Sequence, residues 1–392
     1  MNPGLWTEHI RAQLDEVVDQ GRWRMPREFD ARGPVGDVEG TEVVSFASND
    51  YLGLSVHPKV VAAAGDALER WGAGAGASRL VTGSRPIHRE LERTLAEWKH
   101  TDAAICFPTG FAANLGVLTV LGGPGVQVFS DELNHASIID GCRLSHSTVT
   151  IYRHRDVAHL EHLMVSAAAD TTTPKLVVTD TVFSMDGDVA PIDELLDLCA
   201  RYDALLVVDE AHAVLGPHLP DTQSDLARAN VVRVGTLSKT LGALGGYVAA
   251  SQAVVDLLVN RARSYIFSTA ISPADAAAAL AALKVVRSTE GQRLTSRLAA
   301  HVKLLSRAGL ARAGHPSPIV PVIFGPERAA LSASAALQAE GIWVPAIRPP
   351  TVPPGTSRLR VTVSAAHRED DVERLIEVLL PLYAAARASA LR

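Results

Sequence analysis

The sequence has 392 residues, of which 47% are hydrophobic and 20% are charged, so it can bury a large core. At roughly 150 residues per structural unit, this length suggests two or three units. The formal net charge is −6. That acidic balance argues against nucleic acid as the main partner, because nucleic-acid-binding proteins usually carry a basic excess.

The N-terminal stretch and the cysteines bear on where the protein works. Residues 1–20 carry charges every few positions and lack the apolar core of a signal peptide. The longest apolar tract, ADAAAALAALKVV at 274–286, is too short to span a membrane. The three cysteines, Cys106, Cys142 and Cys199, form no C-x-x-C pair, and their odd number argues against a disulfide framework. We therefore expect a soluble cytoplasmic protein with reduced thiols.

The predicted elements begin with a helix at 5–20. From about 100 to 250, short β-rich runs alternate with helical segments. The runs are AAICF, VQVFS, TVTIY, KLVVTD, ALLVVD and VVRVG, and the helices are 111–121, 135–145, 156–168 and 191–202. Continuous apolar runs between helices are typical of buried parallel strands in a βαβ sheet. The sequence therefore predicts an α/β fold with a mostly parallel sheet.

Beyond about residue 285 the pattern is that of a smaller α/β unit. A long helix is followed by PIVPVIF, a helix, GIWVPAI, SRLRVTVS and a final helix from about 368. The tract RPPTVPPGTS at 348–357 contains four prolines, which predict a rigid loop. We expect three parts: an N-terminal helical segment at 1–45, a large cofactor-binding domain at 46–285 and a small C-terminal domain at 286–392.

Two nucleotide-binding motifs are excluded. VGTLSKT at 234–240 is similar to a phosphate-binding loop, but Ser238 stands where that loop requires a glycine before Lys239. GAGAGA at 72–77 matches G-x-G-x-x-A, yet it follows a helical segment instead of a strand, which argues against a nicotinamide-dependent dehydrogenase. We favour a flexible glycine loop over a site as the interpretation of this segment.

Residues that can carry chemistry follow two of the predicted strands. Asp209 ends the run ALLVVD, His212 comes three residues later, and Lys239 follows VVRVG. In open parallel sheets, ligands bind at the carboxyl ends of the strands. A strand-end carboxylate and a lysine followed by glycines suit pyridoxal phosphate (PLP), whose aldehyde forms an imine with the lysine while the carboxylate pairs with the ring nitrogen. Taken alone, Asp209 also fits a helix cap.

Two further segments agree with this interpretation. CFPTGFAANLG at 106–116 puts Thr109, Gly110 and Phe111 at a strand-to-helix junction, where free backbone N–H groups bind phosphate well. His135, in SDELNHASIIDG, follows another predicted strand. A lone histidine at that position also fits a helix cap or a core residue.

With these pieces assembled, the chain resembles the α-oxoamine synthases, a group of fold-type I PLP enzymes, from about residue 5 to residue 385. The matching stretches are SNDYLGLSVHP, GAGASRLVTG, HRELERTLAEW, FPTGFAANLG, DELNHASIIDG, TDTVFSMDGDVAPI, VVDEAH, TLSKTLGALGGYV, YIFSTAISP and IRPPTVPPGTSRLRVT. The resemblance implies an aminotransferase-like fold, with a large PLP-binding domain and a smaller C-terminal α/β domain.

The resemblance assigns roles around the cofactor ring. It implies that Lys239 holds PLP covalently and removes the α-proton of the amino acid. It implies that His135 stacks on the ring and acts as an acid, and that Asp209 pairs with the ring nitrogen. His212 and Ser184 are then expected near the phenolic oxygen of the ring.

The resemblance also implies a phosphate site and a dimer. Gly110 and Phe111 are expected to offer backbone N–H groups to the phosphate, and Thr236 its hydroxyl. Thr269, in FSTA, is expected to reach the phosphate of the neighbouring subunit. The active unit is therefore expected to be a homodimer.

Four residues are implied in substrate binding. Arg22 is expected to meet the acyl group, and Thr351 lies in the loop that closes on it. Arg348 and Asn49 are expected to hold the amino-acid carboxylate, a role that suits the planar fork of an arginine. No metal site is expected.

The sequence departs from the family in two places. After His212 the family usually has glycine or serine and a glycine-rich continuation, whereas this chain has AVLGPHLPDTQSDL. The residue after the cofactor lysine is more often alanine or glycine, and here it is Thr240. The first departure bears on the shape of the loop after His212.

The block IRPPTVPPGTSRLR is most similar to family members that condense L-alanine with a pimeloyl thioester in biotin biosynthesis. The acyl group would arrive on coenzyme A (CoA) or on an acyl carrier protein, and the N-terminal arginines Arg22, Arg24 and Arg27 suit either carrier. The alternatives are family members that use glycine with acetyl-CoA or succinyl-CoA. A non-catalytic binding subunit is a further alternative, against which the presence of Lys239 argues.

Overall fold

The computed structural model describes residues 4–167, 172–219 and 231–390. Its helices are α1 Leu5–Asp19, α2 Pro58–Trp71, α3 Pro86–Lys99, α4 Gly110–Leu121, α5 Ala136–Ser145, α6 Val157–Ala167, α7 Ile192–Arg201, α8 Gln252–Arg261, α9 Arg263–Ile266, α10 Pro273–Val286, α11 Thr289–Arg307, α12 Glu327–Ala339 and α13 Glu369–Ala390. Its strands are β1 Asp30–Ala31, β2 Val35–Val38, β3 Thr41–Ser45, β4 Ala103–Phe107, β5 Gln127–Asp131, β6 Thr148–Tyr152, β7 Lys175–Asp180, β8 Ala204–Asp209, β9 Val231–Thr236, β10 Gly246–Ala250, β11 Ile319–Gly325, β12 Ile342–Trp343, β13 Ala346–Ile347 and β14 Ser357–Thr362.

The large sheet has the strand order β4-β10-β9-β8-β7-β5-β6. All six predicted β-runs are strands of this sheet, and β5 to β9 pair in parallel. β10 was not predicted, and it pairs antiparallel with both β4 and β9. Its sequence, GYVAA, is poor in β-branched residues, so only its neighbours in the sheet identify it as a strand. The prediction of a mostly parallel sheet in an α/β fold is confirmed.

Both faces of the large sheet are buried, which explains the continuous apolar runs. Val128 and Val207 face one core cluster, which also contains residues of α4, α5 and α8. Their neighbours Phe129 and Val208 face another cluster, which contains residues of α6 and α7. Alternate residues of a strand thus enter two different cores.

The first 45 residues are not the helical segment that the sequence predicts. Helix α1 ends at Asp19, and the segment then forms the antiparallel strands β1, β2 and β3. Glu39 and Gly40 turn the chain between β2 and β3 with φ angles of 56° and 83°. Two successive positive φ angles make the turn that best suits the twist of a hairpin. This turn accounts for the strands that helical periodicity did not reveal.

The C-terminal part of the chain joins this N-terminal sheet. β12 pairs in parallel with β3, giving the order β1-β2-β3-β12, while β11, β14 and β13 form a separate antiparallel sheet. The predicted proline-rich loop at 348–356 lies between β13 and β14. No helix in the described ranges is long and apolar enough to cross a bilayer.

Candidate active site

Four parallel strands and the starts of two helices, α4 and α5, converge on a cavity at the carboxyl edge of the large sheet. The cavity has a volume of about 180 Å³ and is lined by Thr109, Gly110, Phe111, Asn114, His135, Ser137, Asp180, Ser184, Asp209, Ala211, His212, Gly235, Thr236, Ser238 and Lys239. It contains every residue expected to hold the cofactor within one subunit. Thr269, which is expected to reach the neighbouring subunit, is outside it.

Lys239 lies in this cavity among charged groups of both signs. Burial lowers the pKa of its amine, and the Arg360 guanidinium lowers it further, while Asp209 and Asp180 oppose the shift. A lowered pKa increases the fraction of neutral amine at a given pH. Because the neutral amine is both the nucleophile and the base of lysine chemistry, these surroundings prepare Lys239 for either role.

The Asp209 carboxylate is fixed at the end of β8 by two hydrogen bonds. Asn114 Nδ2 donates to Oδ2 at 2.7 Å, and the backbone N–H of Ala211 donates to Oδ1 at 2.9 Å. Asn114 belongs to α4 and also contacts Ser137 Oγ at 2.9 Å. These two hydrogen bonds together use only part of the lone pairs of the carboxylate. Asp209 can therefore accept a further hydrogen bond from a group in the cavity.

His212 is buried and bonded to a tyrosine that the sequence analysis did not identify. The Tyr51 hydroxyl lies 2.5 Å from His212 Nδ1, and Tyr51 is fully buried. Burial lowers the pKa of His212 well below its usual value, and the cations at Lys239 and Arg360 add to this effect. The imidazole is therefore held neutral.

Arg360 does not line the cavity, but it hydrogen-bonds residues from two other parts of the chain. Its Nε donates to the Ser184 carbonyl at 2.6 Å, and one terminal nitrogen donates to Asn49 Oδ1 at 3.2 Å. The Tyr51 hydroxyl also bonds Asn49 Oδ1, at 3.1 Å. Asn49 is therefore two hydrogen bonds away from His212, although it does not line the cavity.

His135 serves as a helix cap and also lines the cavity. Its Nδ1 accepts the N–H of Ser137 at 3.3 Å, so the alternative interpretation as a cap of α5 describes a contact that is present. Its backbone N–H donates to Asp180 Oδ2 at 2.8 Å. Desolvation, with a contribution from Lys239, lowers the pKa of the imidazole. His135 is exposed and lines the cavity, a position suited to contact with a planar ligand.

The start of α4 is suited to bind an anion. Thr109 Oγ1 caps the helix by accepting the N–H of Ala112 at 3.0 Å, which leaves the first amides, those of Gly110 and Phe111, without an intrahelical acceptor. Thr236 and Ser238 lie beside them, with their hydroxyl oxygens 2.7 Å apart. Unpaired N–H groups at a helix start, together with hydroxyls, are suited to a phosphate.

Thr269 is exposed and lies apart from the cavity of its own chain. It forms a β-bridge with Ser78, and the adjacent Ala270 N–H donates to the Ala77 carbonyl at 3.1 Å. The glycine segment at 72–77 thus runs beside residues 269–270 and not over the cavity of its own chain. The position of Thr269 leaves its expected contact with a neighbouring subunit as a prediction.

Three of the four expected substrate residues, Arg22, Arg348 and Thr351, lie together outside the cavity. Arg348 donates to the Gly21 carbonyl at 2.9 Å, next to Arg22, and the Thr351 N–H donates to the Arg348 carbonyl at 3.1 Å. Arg22 itself donates to Gln20 Oε1 at 2.7 Å. These three residues do not line the cavity, and their substrate contacts remain predictions.

The chain was compared with known families and proteins. The family model for aminotransferase class I and II matches residues 41–379. An 8-amino-7-oxononanoate synthase of Anaeromyxobacter dehalogenans is 51% identical over 380 residues, which are 94% of each chain. One of Geobacter sulfurreducens is 46% identical, over 95% of this chain and 97% of the relative.

The chain belongs to the 8-amino-7-oxononanoate synthase family. Among solved structures, a serine palmitoyltransferase from S. paucimobilis with a bound PLP–myriocin adduct has a TM-score of 0.89 at 27% identity, covering 98% of this chain and all of that one. An 8-amino-7-oxononanoate synthase from Francisella tularensis has a TM-score of 0.70 at 24% identity, covering 89% of this chain and 99% of that one, and shows the same fold. The prediction of an α-oxoamine synthase with a fold-type I architecture is confirmed.

The residues of this 8-amino-7-oxononanoate synthase family member fit PLP. The cavity combines a lysine whose amine is shifted toward its neutral form, a carboxylate with spare acceptor capacity and a helix start with free N–H groups. These are the partners that the aldehyde, the ring nitrogen and the phosphate of PLP require. No group of three or more metal-ligating side chains is placed to hold a metal ion within the described ranges.

Sequence reasoning missed four residues that shape the site of this family member, Tyr51, Asn114, Asp180 and Arg360. Asp180 ends the run KLVVTD, so the strand-end argument that identified Asp209 also applied to it. Asn114 is four residues after Gly110, one helical turn along α4, so the helix period alone could have placed it beside the phosphate site. Tyr51 and Arg360 left no such signal. The first departure from the family follows His212, and residues 220–230 of it lie outside the described ranges. The second, Thr240, lines an adjacent cavity of about 340 Å³.

Proposed function

We propose that this protein is a PLP-dependent C-acyltransferase that condenses L-alanine with a pimeloyl thioester. The products are 8-amino-7-oxononanoate, carbon dioxide and the free thiol of the carrier. The observation that carries the proposal is the convergence of Lys239, Asp209 and the start of α4 on one cavity. The chain that holds this cavity is 51% identical to an 8-amino-7-oxononanoate synthase. We place the reaction in the cytoplasm, in a homodimer.

The residues of the cavity have different roles in the proposed reaction. When bound, PLP supplies an electron sink for negative charge at the α-carbon of the amino acid. The Lys239 amine, shifted toward its neutral form, takes the α-proton at Nζ. Asp209, held by Asn114 and Ala211, accepts a hydrogen bond from the ring nitrogen and keeps it protonated. His135 covers one face of the ring.

We attribute the rate acceleration to selective stabilisation of the charge that develops in the transition state. A unit charge pair about 4 Å apart at an effective dielectric of about 20 is worth roughly 4 kcal/mol before desolvation. The Asp209 carboxylate is aimed before the reaction starts, so no reorganisation is needed when charge develops. Arg348 and Asn49 are proposed to bind the carboxylate of alanine, and Arg22 and Thr351 the acyl chain.

The experiment uses the purified holoenzyme with L-alanine or glycine and with pimeloyl-CoA, acetyl-CoA or succinyl-CoA. We expect free thiol and carbon dioxide in equal amounts with alanine and pimeloyl-CoA, and neither product from Lys239→Ala. Thiol release with glycine alone would overturn the choice of amino acid. A protein whose visible absorbance does not depend on Lys239, and which releases no thiol, would instead be a non-catalytic binding subunit.

A further inference from the structure

Helix α3 carries a row of three arginines that the proposed chemistry does not use. Arg85 precedes the helix, and Arg89 and Arg93 follow at intervals of four residues, which puts them along one side. We call these three residues the arginine ridge. At about 1.5 Å per residue the row extends roughly 12 Å. It borders an open groove of about 500 Å³.

The carboxylates near the arginine ridge are already engaged. All three glutamates of α3 pair with cations from elsewhere, namely Glu92 with Arg79 at 2.6 Å, Glu90 with Lys284 at 3.4 Å and Glu97 with Arg287 at 3.7 Å. Arg93 shares Glu97. In the part of the chain that the structure describes, the Arg85 guanidinium donates only to the carbonyls of Thr82 and Ser84, and Arg89 has no carboxylate within ion-pair distance. This face therefore carries a positive excess on a chain of net charge −6.

The ridge also adjoins the segment that is expected to face the neighbouring subunit. Residues 79–83 form a single helical turn between Ser78 and the start of α3, and Arg79 Nε donates to Ser84 Oγ at 2.8 Å. Ser78 is bridged to Thr269, the residue proposed to contact the cofactor of the partner. The start of the ridge is thus joined to the segment that the proposed dimer turns toward the partner.

We infer that the arginine ridge docks an acidic protein that carries the acyl group as a thioester. This inference rests on the proposed acyl-transfer function. The groove contains one apolar lining residue, Pro86, and no aromatic ring on which a nucleotide base could stack. Arg89 and Arg93 are exposed and Arg85 is half-buried. Such an extended row of like charges is suited to the acidic surface of a protein, where complementary charge steers association and orients the partner.

The test compares two carriers of the same acyl group. Steady-state rates are measured with L-alanine and either pimeloyl-loaded acyl carrier protein or pimeloyl-CoA, for the wild type, Arg89→Glu and Arg89→Glu/Arg93→Glu. Arg328→Glu is the matched control, because Arg328 is also exposed near the start of a helix, α12, and forms no ion pair in the described ranges. An acidic residue near a helix start does not disfavour the fold.

We expect the double variant to raise the KM for the carrier-protein substrate about tenfold, with kcat retained and the KM for pimeloyl-CoA changed less than twofold. The wild-type KM for the carrier-protein substrate should rise with added salt, and this rise should be smaller in the variants. Equal losses with both carriers would assign the ridge to the nucleotide of CoA and overturn the inference. An effect of Arg328→Glu as large as that of Arg89→Glu would also overturn it.

Failure of the inference can be separated from failure of the proposed function. Turnover of pimeloyl-CoA by the wild type establishes the function whatever the ridge does. Binding of fluorescently labelled pimeloyl-acyl carrier protein to the holoenzyme, followed by anisotropy, tests the ridge without turnover. Binding by the wild type that weakens in Arg89→Glu/Arg93→Glu supports the inference, and binding that is absent or unchanged overturns it.

Discussion

At the scale of single residues, the site depends on a few buried polar groups that orient one another. Asp209 is 6% exposed and has its direction set by Asn114 and by the backbone of Ala211. A buried carboxylate is favourable only when hydrogen bonds or opposite charge compensate its lost hydration. In the proposed complex the ring nitrogen of the cofactor would complete this compensation.

Asp209→Asn is expected to keep the cofactor bound and to lose most of the activity. The amide preserves the shape, but its single acceptor oxygen can keep only one of the hydrogen bonds from Asn114 and Ala211, and it has no charge to hold the ring nitrogen protonated. A pair worth roughly 4 kcal/mol before desolvation predicts a loss in kcat of about a hundredfold or more. Cofactor content is measured by absorbance and kcat by thiol release. A kcat within tenfold of the wild type would show that the charge is not needed.

The sequence predicts part of this site for a physical reason. Lys239 and Asp209 each follow a continuous apolar run, and strand ends of a parallel sheet meet at one edge. Tyr51 and Arg360 reach the site from the N-terminal and C-terminal parts of the chain, more than 300 residues apart. Their positions depend on how those parts pack, which no local pattern encodes.

At the scale of secondary structure elements, the start of α4 is positioned by the close approach of β10. A Cβ built on Gly246 would lie 2.5 Å from the Gly110 nitrogen and 2.5 Å from the Thr109 carbonyl oxygen. Only glycine permits this approach without displacing the helix start. The missed strand β10 therefore sets the geometry of the phosphate site.

Gly246→Ala is expected to weaken cofactor binding at least about tenfold, because the helix start must move away from the added methyl group. Gly65→Ala is the control, since a Cβ on Gly65, in α2, meets nothing within 4 Å and alanine favours the helix by roughly 1 kcal/mol. Cofactor dissociation constants are measured by titrating the apoenzyme. Equal affinity in both variants would contradict this account.

His367 joins the loop after β14 to the end of β3. Its Nδ1 accepts the Ser364 N–H at 2.9 Å and its Nε2 donates to the Ser45 carbonyl at 2.9 Å, so both contacts require the neutral ring. Burial lowers the pKa of His367 to about 4, with a contribution from His301, while the bond to Ser45 opposes the shift.

The pKa of His367 predicts a pH dependence of stability. Between its unfolded pKa near 6.5 and about 4, the unfolded chain binds more protons, so the free energy of unfolding falls as the pH falls. The loss is complete below about pH 4 and amounts to roughly 3 kcal/mol. His367→Gln, which has a donor and an acceptor but does not titrate in this range, should show a pH dependence weaker by this amount in urea unfolding at pH 8 to 4. Identical pH curves would exclude His367 as the source.

At the scale of the whole molecule, the proposed active unit is larger than one chain. Thr269 and the arginine ridge both lie outside the cavity of their own subunit. Within one chain every other residue expected to hold the cofactor is present at the cavity. A homodimer in which each subunit completes the phosphate site of the other accounts for the exposed position of Thr269.

Mixing two inactive variants tests this arrangement. Lys239→Ala removes the amine, and Thr269→Glu is expected to place a negative charge against the phosphate of the partner. Subunit exchange at equal concentrations forms hybrids in half of the dimers, each with one intact cavity, so activity should return to about a quarter of the wild-type value. The measurement is thiol release before and after exchange. No recovery, with exchange demonstrated by mass spectrometry, would place Thr269 in its own subunit's chemistry.

The pairing of β12 with β3 has a consequence for synthesis on the ribosome. About 300 residues separate the two strands. At a translation rate of roughly 5–20 residues per second, β12 is therefore synthesised about 15–60 s after the hairpin of β2 and β3. During that time one edge of β3 is open to other nascent chains. Glu42, which is exposed on β3 itself, puts charge beside that edge and discourages aggregation until translation is nearly finished.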